Sequence, residues 1–218
     1  MDRLRSAASD LTWLRSRGYP ERAALAVVGN RYELRTRQRE AIARATCSDE
    51  QRRDRGERRV DDDSLRGTRV AVDGFNLLTT VESALGGGVV LHCADRCARD
   101  LARLRGTWRR VEETRPALER IGTHLARNGA LRARWWLDAP VSNSGRLAGL
   151  VRGLAAEHDW PWEVAVTRDV DGELIATPDV VVSADSGVLD ACGRWWNLAR
   201  RIVEDVTGAW VVDLGSAA

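Results

Sequence analysis

The chain has 218 residues, with 34 basic and 32 acidic side chains, a net charge of +2 and 44% apolar content. That is enough to fold around its own core without disulfide or metal staples. No apolar run approaches the length of a membrane span, and charged Asp2, Arg3 and Arg5 stand where a secretory signal would lead into an apolar core. The expectation is a cytoplasmic protein with no membrane partner.

Every cation is arginine, a uniformity we ascribe to genomic base composition rather than to a binding strategy. Cys47, Cys93, Cys97 and Cys192 fit neither a disulfide framework nor a zinc site, because Cys93 and Cys97 have no second ligand pair nearby. They read as reduced, structural thiols. Residues 1–69 hold 17 Arg against 12 acids, and residues 70–218 hold 17 against 20. The charge is therefore divided into a basic first part and a mildly acidic remainder.

Leu4, Ala7, Ala8, Leu11 and Leu14 recur at helical spacing. Gly18 and Pro20 break the pattern before a second helix bearing Ala23, Ala24, Val27 and Val28. The polar turn Gly29-Asn30-Arg31-Tyr32 leads to a third helix over 36–46, with Thr36 as its cap and Tyr32 free to dock back onto the hairpin. A small all-α domain is expected over 1–47. From Ser48 to Gly67 the chain is charged and nearly devoid of apolar residues, which predicts a linker over 48–68, Asp61-Asp62-Asp63 included, with an α/β domain over 69–218.

Arg69 to Asp73 is a short continuous apolar run that ends in a carboxylate, a glycine and, at Asn76, an amide. It reads as a buried parallel strand with Asp73 at its carboxyl end, the edge where open α/β sheets bind ligands. Gly86-Gly87-Gly88 lacks the lysine and spacing of a phosphate loop and reads as a turn before Val89-Val90-Leu91. A helix is expected over 95–105, and another from Pro116 to Gly129.

Ala133 to Asp138 is a second apolar run ending in aspartate. Val141-Ser142-Asn143-Ser144-Gly145 follows, where hydroxyl and amide groups precede a helix and either cap it or offer N–H groups to an anion. Pro161 to Val166 is a third strand, and Asp169 to Leu174 reads as a turn. Val180-Val181-Val182 is the clearest strand, running into Ser183-Ala184-Asp185 and a long helix from Leu189 to Val203; Ala209 to Leu214 is expected to close the sheet. The alternation gives an α/β fold with a mainly parallel, Rossmann-like sheet flanked by helices.

Three strands thus deliver Asp73, Asp138 and Asp185 to one sheet edge, where they would repel one another unless a hard cation or a shared proton intervenes. Each singly is also an ordinary helix cap. Oxygen-only donors favour Mg²⁺ or Mn²⁺ over zinc. Asp95 and Asp100 are rivals to Asp138 as the middle ligand, while Asn76, Ser183, Ser142, Asn143 and Ser144 are candidate supporting groups. His92, His124 and His158 do not stand at strand ends, which leaves no Ser-His-Asp or Cys-His nucleophile arrangement.

Val72-Asp73-Gly74-Phe75-Asn76 and Val182-Ser183-Ala184-Asp185-Ser186 resemble the first and last acidic motifs of the PIN/NYN-like nuclease superfamily, over roughly residues 69–215. More narrowly, Arg17-Gly18-Tyr19-Pro20, Gly29-Asn30-Arg31-Tyr32 and the stretch from Asp138 to Gly145 resemble an uncharacterised prokaryotic family that joins a small helical domain to a PIN-like one. The resemblance implies a metal-dependent nuclease acting on RNA more than DNA, with Asp73 and Asp185 at metal-coordinating positions, Asn76 at a supporting one and Asp138 as the acid at a central strand end. Gly187 stands where NYN proteins commonly carry a second acid. An inert nucleic-acid- or protein-binding module is the alternative the resemblance leaves open.

Overall fold

The computed structural model describes residues 1–102 and 106–215. Helices α1 (Asp2–Arg15), α2 (Glu21–Arg31) and α3 (Thr36–Ala45) open the chain, and their stripes of Ala7, Leu11, Ala24, Val28, Ile42 and Ala45 are buried together. Tyr32 docks back on this bundle, its hydroxyl donating to Asp10 at 2.9 Å. Thr36 is the first residue of α3 rather than its cap.

Segment 48–68 is ordered, which corrects the expectation of a linker. It forms α4 (Asp49–Arg58), β1 (Arg59–Val60) and a 3₁₀ turn over Asp62–Leu65. Ser48 Oγ accepts from the Gln51 N–H at 3.1 Å and Gln51 Oε1 accepts from the Ser48 N–H at 3.0 Å, a reciprocal cap that satisfies two donors at the helix start. What docks α4 is not apolar surface but Arg55, whose side chain is 1% exposed and ion-paired to Asp95 at 2.6 Å and Asp190 at 2.7 Å.

The α/β part continues with β2 (Arg69–Asp73), α5 (Gly74–Leu85), β3 (Val89–His92), β4 (Ala98–Asp100), α6 (Thr114–Arg127), β5 (Arg132–Asp138), α7 (Ser144–Glu157) and β6 (Trp162–Thr167). Then come α8 (Val170–Ala176), β7 (Val180–Val182), α9 (Ser186–Ala191), β8 (Trp195–Trp196), α10 (Leu198–Glu204) and β9 (Trp210–Asp213). Six strands form a wholly parallel sheet in the order β1-β8-β7-β2-β5-β6. Successive side chains of a strand point to opposite faces, and here both faces are covered. Val70, Val72, Val180, Val182 and Trp135 share a core with α5, α6, α7 and α10. Ala71, Val181 and Trp136 share another with α8 and α9. The fold is Rossmann-like α/β with a small helical N-terminal region.

Four local expectations change. The helix expected over 95–105 is instead a turn and β4 through residue 100, and residues 103–105 lie outside the described residues. The helix expected from Leu189 to Val203 is broken into α9, β8 and α10 after Cys192 and Gly193. The turn expected over 169–174 is α8, capped by Asp169, whose Oδ1 accepts from the Gly172 N–H at 2.9 Å. Finally, β9 does not close the main sheet but pairs parallel with β3 in a second sheet ordered β4-β3-β9. Leu91 of β3, and Cys93 and Leu214 just past the ends of β3 and β9, belong to the core of the N-terminal helices, so the helical part is seated directly on that sheet. No helix among the described residues is long and apolar enough to cross a membrane.

Candidate active site at the switch point of the sheet

From β2 the chain builds the sheet outward through β5 to β6, then returns to the other side of β2 with β7 and β8. The reversal opens a crevice at the carboxyl ends of β2 and β7, where ligands of doubly wound sheets bind. Asp73 ends β2, and Ser183 follows β7 directly. The Ser183 hydroxyl donates to Asp73 Oδ2 at 2.7 Å and accepts from the Asp185 N–H at 3.0 Å, tying the two strand ends together. Asn76 Oδ1 accepts from the Ala184 N–H at 2.8 Å, so α5 is bonded to the same loop. Gly74 makes this possible, because a Cβ there would overlap Leu137 and the Trp136 carbonyl of β5.

Asp73 is 6% exposed. Burial pushes its carboxyl up to about 7, against the Ser183 and Asn76 hydrogen bonds, and the charges of Asp185 and Asp138 add to the rise. Burial likewise raises Asp138, which ends β5. The structure also adds Asp171 of α8, which lies within the segment expected to be a turn. Its carboxyl is raised by burial and then by Asp185, Asp138 and Asp169. The usable signal was Asp169 as a cap, with Val170 and Leu174 one helical turn apart, both now buried. Among the described residues, Asp73, Asp138, Asp171 and Asp185 form no ion pair with an arginine. The sheet edge therefore gathers acids that have no arginine counter-ion among the described residues.

The capping reading is true as well. Asp73 Oδ1 accepts from the Asn76 N–H at 3.4 Å, and Asp185 Oδ1 accepts from the Gly187 and Val188 N–H groups at 2.8 and 3.2 Å. Both carboxylates therefore have one oxygen directed to a helix start and a fixed orientation. No three His, Cys, Asp or Glu side chains among the described residues are grouped closely enough to hold one ion together.

The rival acids go elsewhere. Asp95 is buried beneath the loop, paired with Arg55 and Arg99. Burial opposes its charge, but the Arg99 and Arg55 guanidiniums hold its carboxyl well below the usual range. Arg99 Nε donates to the Ala184 carbonyl at 2.6 Å and Arg55 Nη2 to the Ser186 carbonyl at 3.3 Å. Asp95 therefore braces the loop that carries Asp185 rather than facing the crevice. Asp100 accepts from the Thr80 hydroxyl at 3.1 Å, and burial raises it against the pull of Arg44. Asp185 and Asp138, not Asp100, are the charges that weigh most on Asp73.

Ser142, Asn143 and Ser144 stand beyond β5, where Ser142 and Asn143 bond to the segment 106–108 and the Ser144 N–H donates to the Val141 carbonyl. Ser142 N–H donates to the Gly106 carbonyl at 2.8 Å, its carbonyl accepts from Trp108 N–H at 3.2 Å, and Asn143 Nδ2 donates to the Trp108 carbonyl at 2.9 Å. Ser144 is buried as the first residue of α7, and its side chain is not the cap of that helix.

Residues 62–201, more than half of the chain, match the family described as Domain of unknown function (DUF5616). The chain belongs to that family. The DUF5616 match takes in β2, β7 and every acid of the crevice, while residues 3–58 match a second description, Protein of unknown function (DUF434), which covers α1 to α4. An uncharacterised protein of Methanocaldococcus jannaschii is 28% identical over 186 residues, covering 85% of this chain and 88% of that protein. No solved structure matches the chain.

Proposed function

We propose that this chain hydrolyses phosphodiester bonds in nucleic acid, RNA in preference to DNA, using Mg²⁺ or Mn²⁺ held at the switch-point carboxylates. The observation that carries the reading is Asp73: a carboxyl buried at a sheet edge with Asp138 and Asp185 as charged neighbours and, among the described residues, no guanidinium paired with any of them. Such a group stays neutral or takes a cation. The resemblance of Val72–Asn76 and Val182–Ser186 to the acidic motifs of PIN/NYN-like nucleases supports the same reading.

The donor set fits a hard ion in kind. Mg²⁺ keeps several of its waters and needs only one or two carboxylates, which Asp73 and Asp185 supply, with Asp138 and Asp171 contributing charge. When bound, the ion would lower the pKa of an attacking water and stabilise the leaving oxygen. The chain's own part is orientation: Ser183 and Asn76 hold the Asp73 carboxylate and the loop 183–185 to one another. The Asp95–Arg99–Arg55 network fixes that loop from below.

The second reading, a binding module without catalysis, is favoured by the absence of any three-ligand group among the described residues. One assay separates the two. Labelled single-stranded RNA incubated with the protein and Mn²⁺ is expected to be cleaved, with EDTA abolishing the reaction and Asp185→Asn lowering the rate at least a hundredfold (~2.7 kcal/mol) while leaving RNA binding intact. Binding with no metal-dependent cleavage by the wild type would favour the inert module.

A further inference from the structure

Beyond β5 the surface changes sign. The segment 108–112 and the start of α7 line a cleft of about 560 Å³ that includes Arg109, Arg110, Arg146, Glu112 and Asn143. A neighbouring hollow of about 400 Å³ shares Arg110 and Arg146 and adds Arg115. Arg115 is engaged by Glu119 and Glu157. Among the described residues, Arg109, Arg110 and Arg146 are exposed and have no carboxylate partner.

Three unpaired guanidiniums on one surface repel one another and gain from an anion shared between them. The backbone on either side of the cleft is held in place. Segment 106–108 is bonded to the loop after Asp138 by Ser142 N–H to Gly106 carbonyl, Trp108 N–H to Ser142 carbonyl, and Asn143 Nδ2 to Trp108 carbonyl. Trp108, 2% exposed, anchors the segment in the main core. Asn143 adopts a left-handed backbone, φ 71°, at the entry to α7, a conformation asparagine tolerates better than most residues. The same loop joins Asp138 to α7, since the Val141 N–H donates to the Asp138 carbonyl. The backbone that leads into Arg109 and Arg110 is therefore tied to the loop after Asp138, the same loop that leads into α7 and Arg146.

We propose that Arg109, Arg110 and Arg146 form a seat for the phosphodiester backbone of a nucleic-acid strand, placed so that the strand runs from this cleft toward the switch-point carboxylates. The partner's chemistry follows from the groups: planar, permanently charged forks at exposed positions suit successive phosphates. No exposed aromatic ring accompanies them in the cleft, so the seat reads backbone rather than base. RNA and DNA share that backbone, and the test separates them. The direction of the strand rests on the nuclease reading; the seat itself does not.

The experiment is fluorescence anisotropy with a labelled single-stranded RNA and the DNA of the same sequence, in EDTA so that no cleavage occurs, across a salt series. The double variant Arg109→Ala/Arg110→Ala and the single variant Arg146→Ala are compared with wild type and with Arg120→Ala, an exposed arginine of α6 away from the cleft. The double variant is expected to bind about tenfold more weakly at low salt, with the slope of log affinity on log salt reduced by roughly 0.7 per lost contact. Arg120→Ala is expected to match wild type. Far-ultraviolet melts confirm folding, and Arg146→Lys, which keeps the charge, should recover part of the Arg146→Ala loss. Weakening in both nucleic acids supports the seat as a reader of phosphate; weakening in RNA alone supports it and adds contacts to the ribose. Equal affinity of the cleft variants and Arg120→Ala, or no binding by the wild type to either strand, would overturn the proposal. Because these readouts contain no metal, they stand apart from any failure of cleavage.

Discussion

At the scale of single residues, Asp73 sets a conflict between stability and ligand binding. Its folded-state carboxyl is raised from the ordinary 3.8 to about 7. A raised carboxyl binds its proton more tightly in the folded protein, so its contribution is fully present below pH 4 and is lost as pH rises through 7. Asp73→Asn, which keeps the shape and removes the charge, should therefore stabilise the metal-free protein at pH 8 by on the order of 2–4 kcal/mol and leave it nearly unchanged at pH 4. Urea denaturation at the two pH values checks this. An Asn variant less stable than wild type at pH 8 would mean that the Ser183 and Asn76 hydrogen bonds outweigh the burial of charge. Asp73 at a strand end was legible in the sequence because an apolar run stopping at Asp-Gly leaves little choice of place. The fate of Asp95 was not, since Arg99 lies only 4 residues downstream but Arg55 lies 40 residues upstream, and no local pattern announces a pair across that longer distance.

Among the elements, α4 shows where composition misleads. Asp49–Arg58 carries no apolar stripe, so a reading that demands buried hydrocarbon finds a linker. The helix is instead held by a reciprocal cap and by one buried arginine that satisfies Asp95 and Asp190 and whose backbone carbonyl accepts from Trp195 Nε1 at 2.7 Å. Removing one partner from a buried charge network leaves the others uncompensated. Arg55→Met should cost about 3 kcal/mol in urea denaturation, and it should also loosen the loop at Ala184 and Ser186. Trypsin provides a second readout, since α4 and β1 carry Arg52, Arg53, Arg58 and Arg59, which wild type and variant share. Limited digestion should spare this segment in the wild type and cut it early in Arg55→Met. Early cutting in the wild type would restore the linker. The break of the expected long helix was hidden for a related reason. Trp195 and Trp196 look like a helical face, but both are buried because they lie in a short strand between two cores.

For the whole molecule, the parallel sheet and the edge on which its acids gather were readable from runs of β-branched residues and the period of the intervening helices. The second sheet was not, because β9 resembles any closing strand and its choice of β3 over the main sheet depends on the N-terminal helices packed against Leu91 and Leu214. Of those helices α3, through the Arg44 carbonyl, is joined to α4 and the loop of Asp185 by Arg55, Asp95 and Arg99. The loop that carries Asp185 is consequently braced from both parts of the chain. The most direct test is calorimetric melting with and without Mg²⁺ or Mn²⁺ at pH 8, in wild type and Asp73→Asn. The wild type should gain about 2.7 kcal/mol at a hundredfold excess of metal over its dissociation constant, and Asp73→Asn should gain little or nothing. An equal gain in both proteins would place the ion elsewhere and contradict the assignment of these carboxylates.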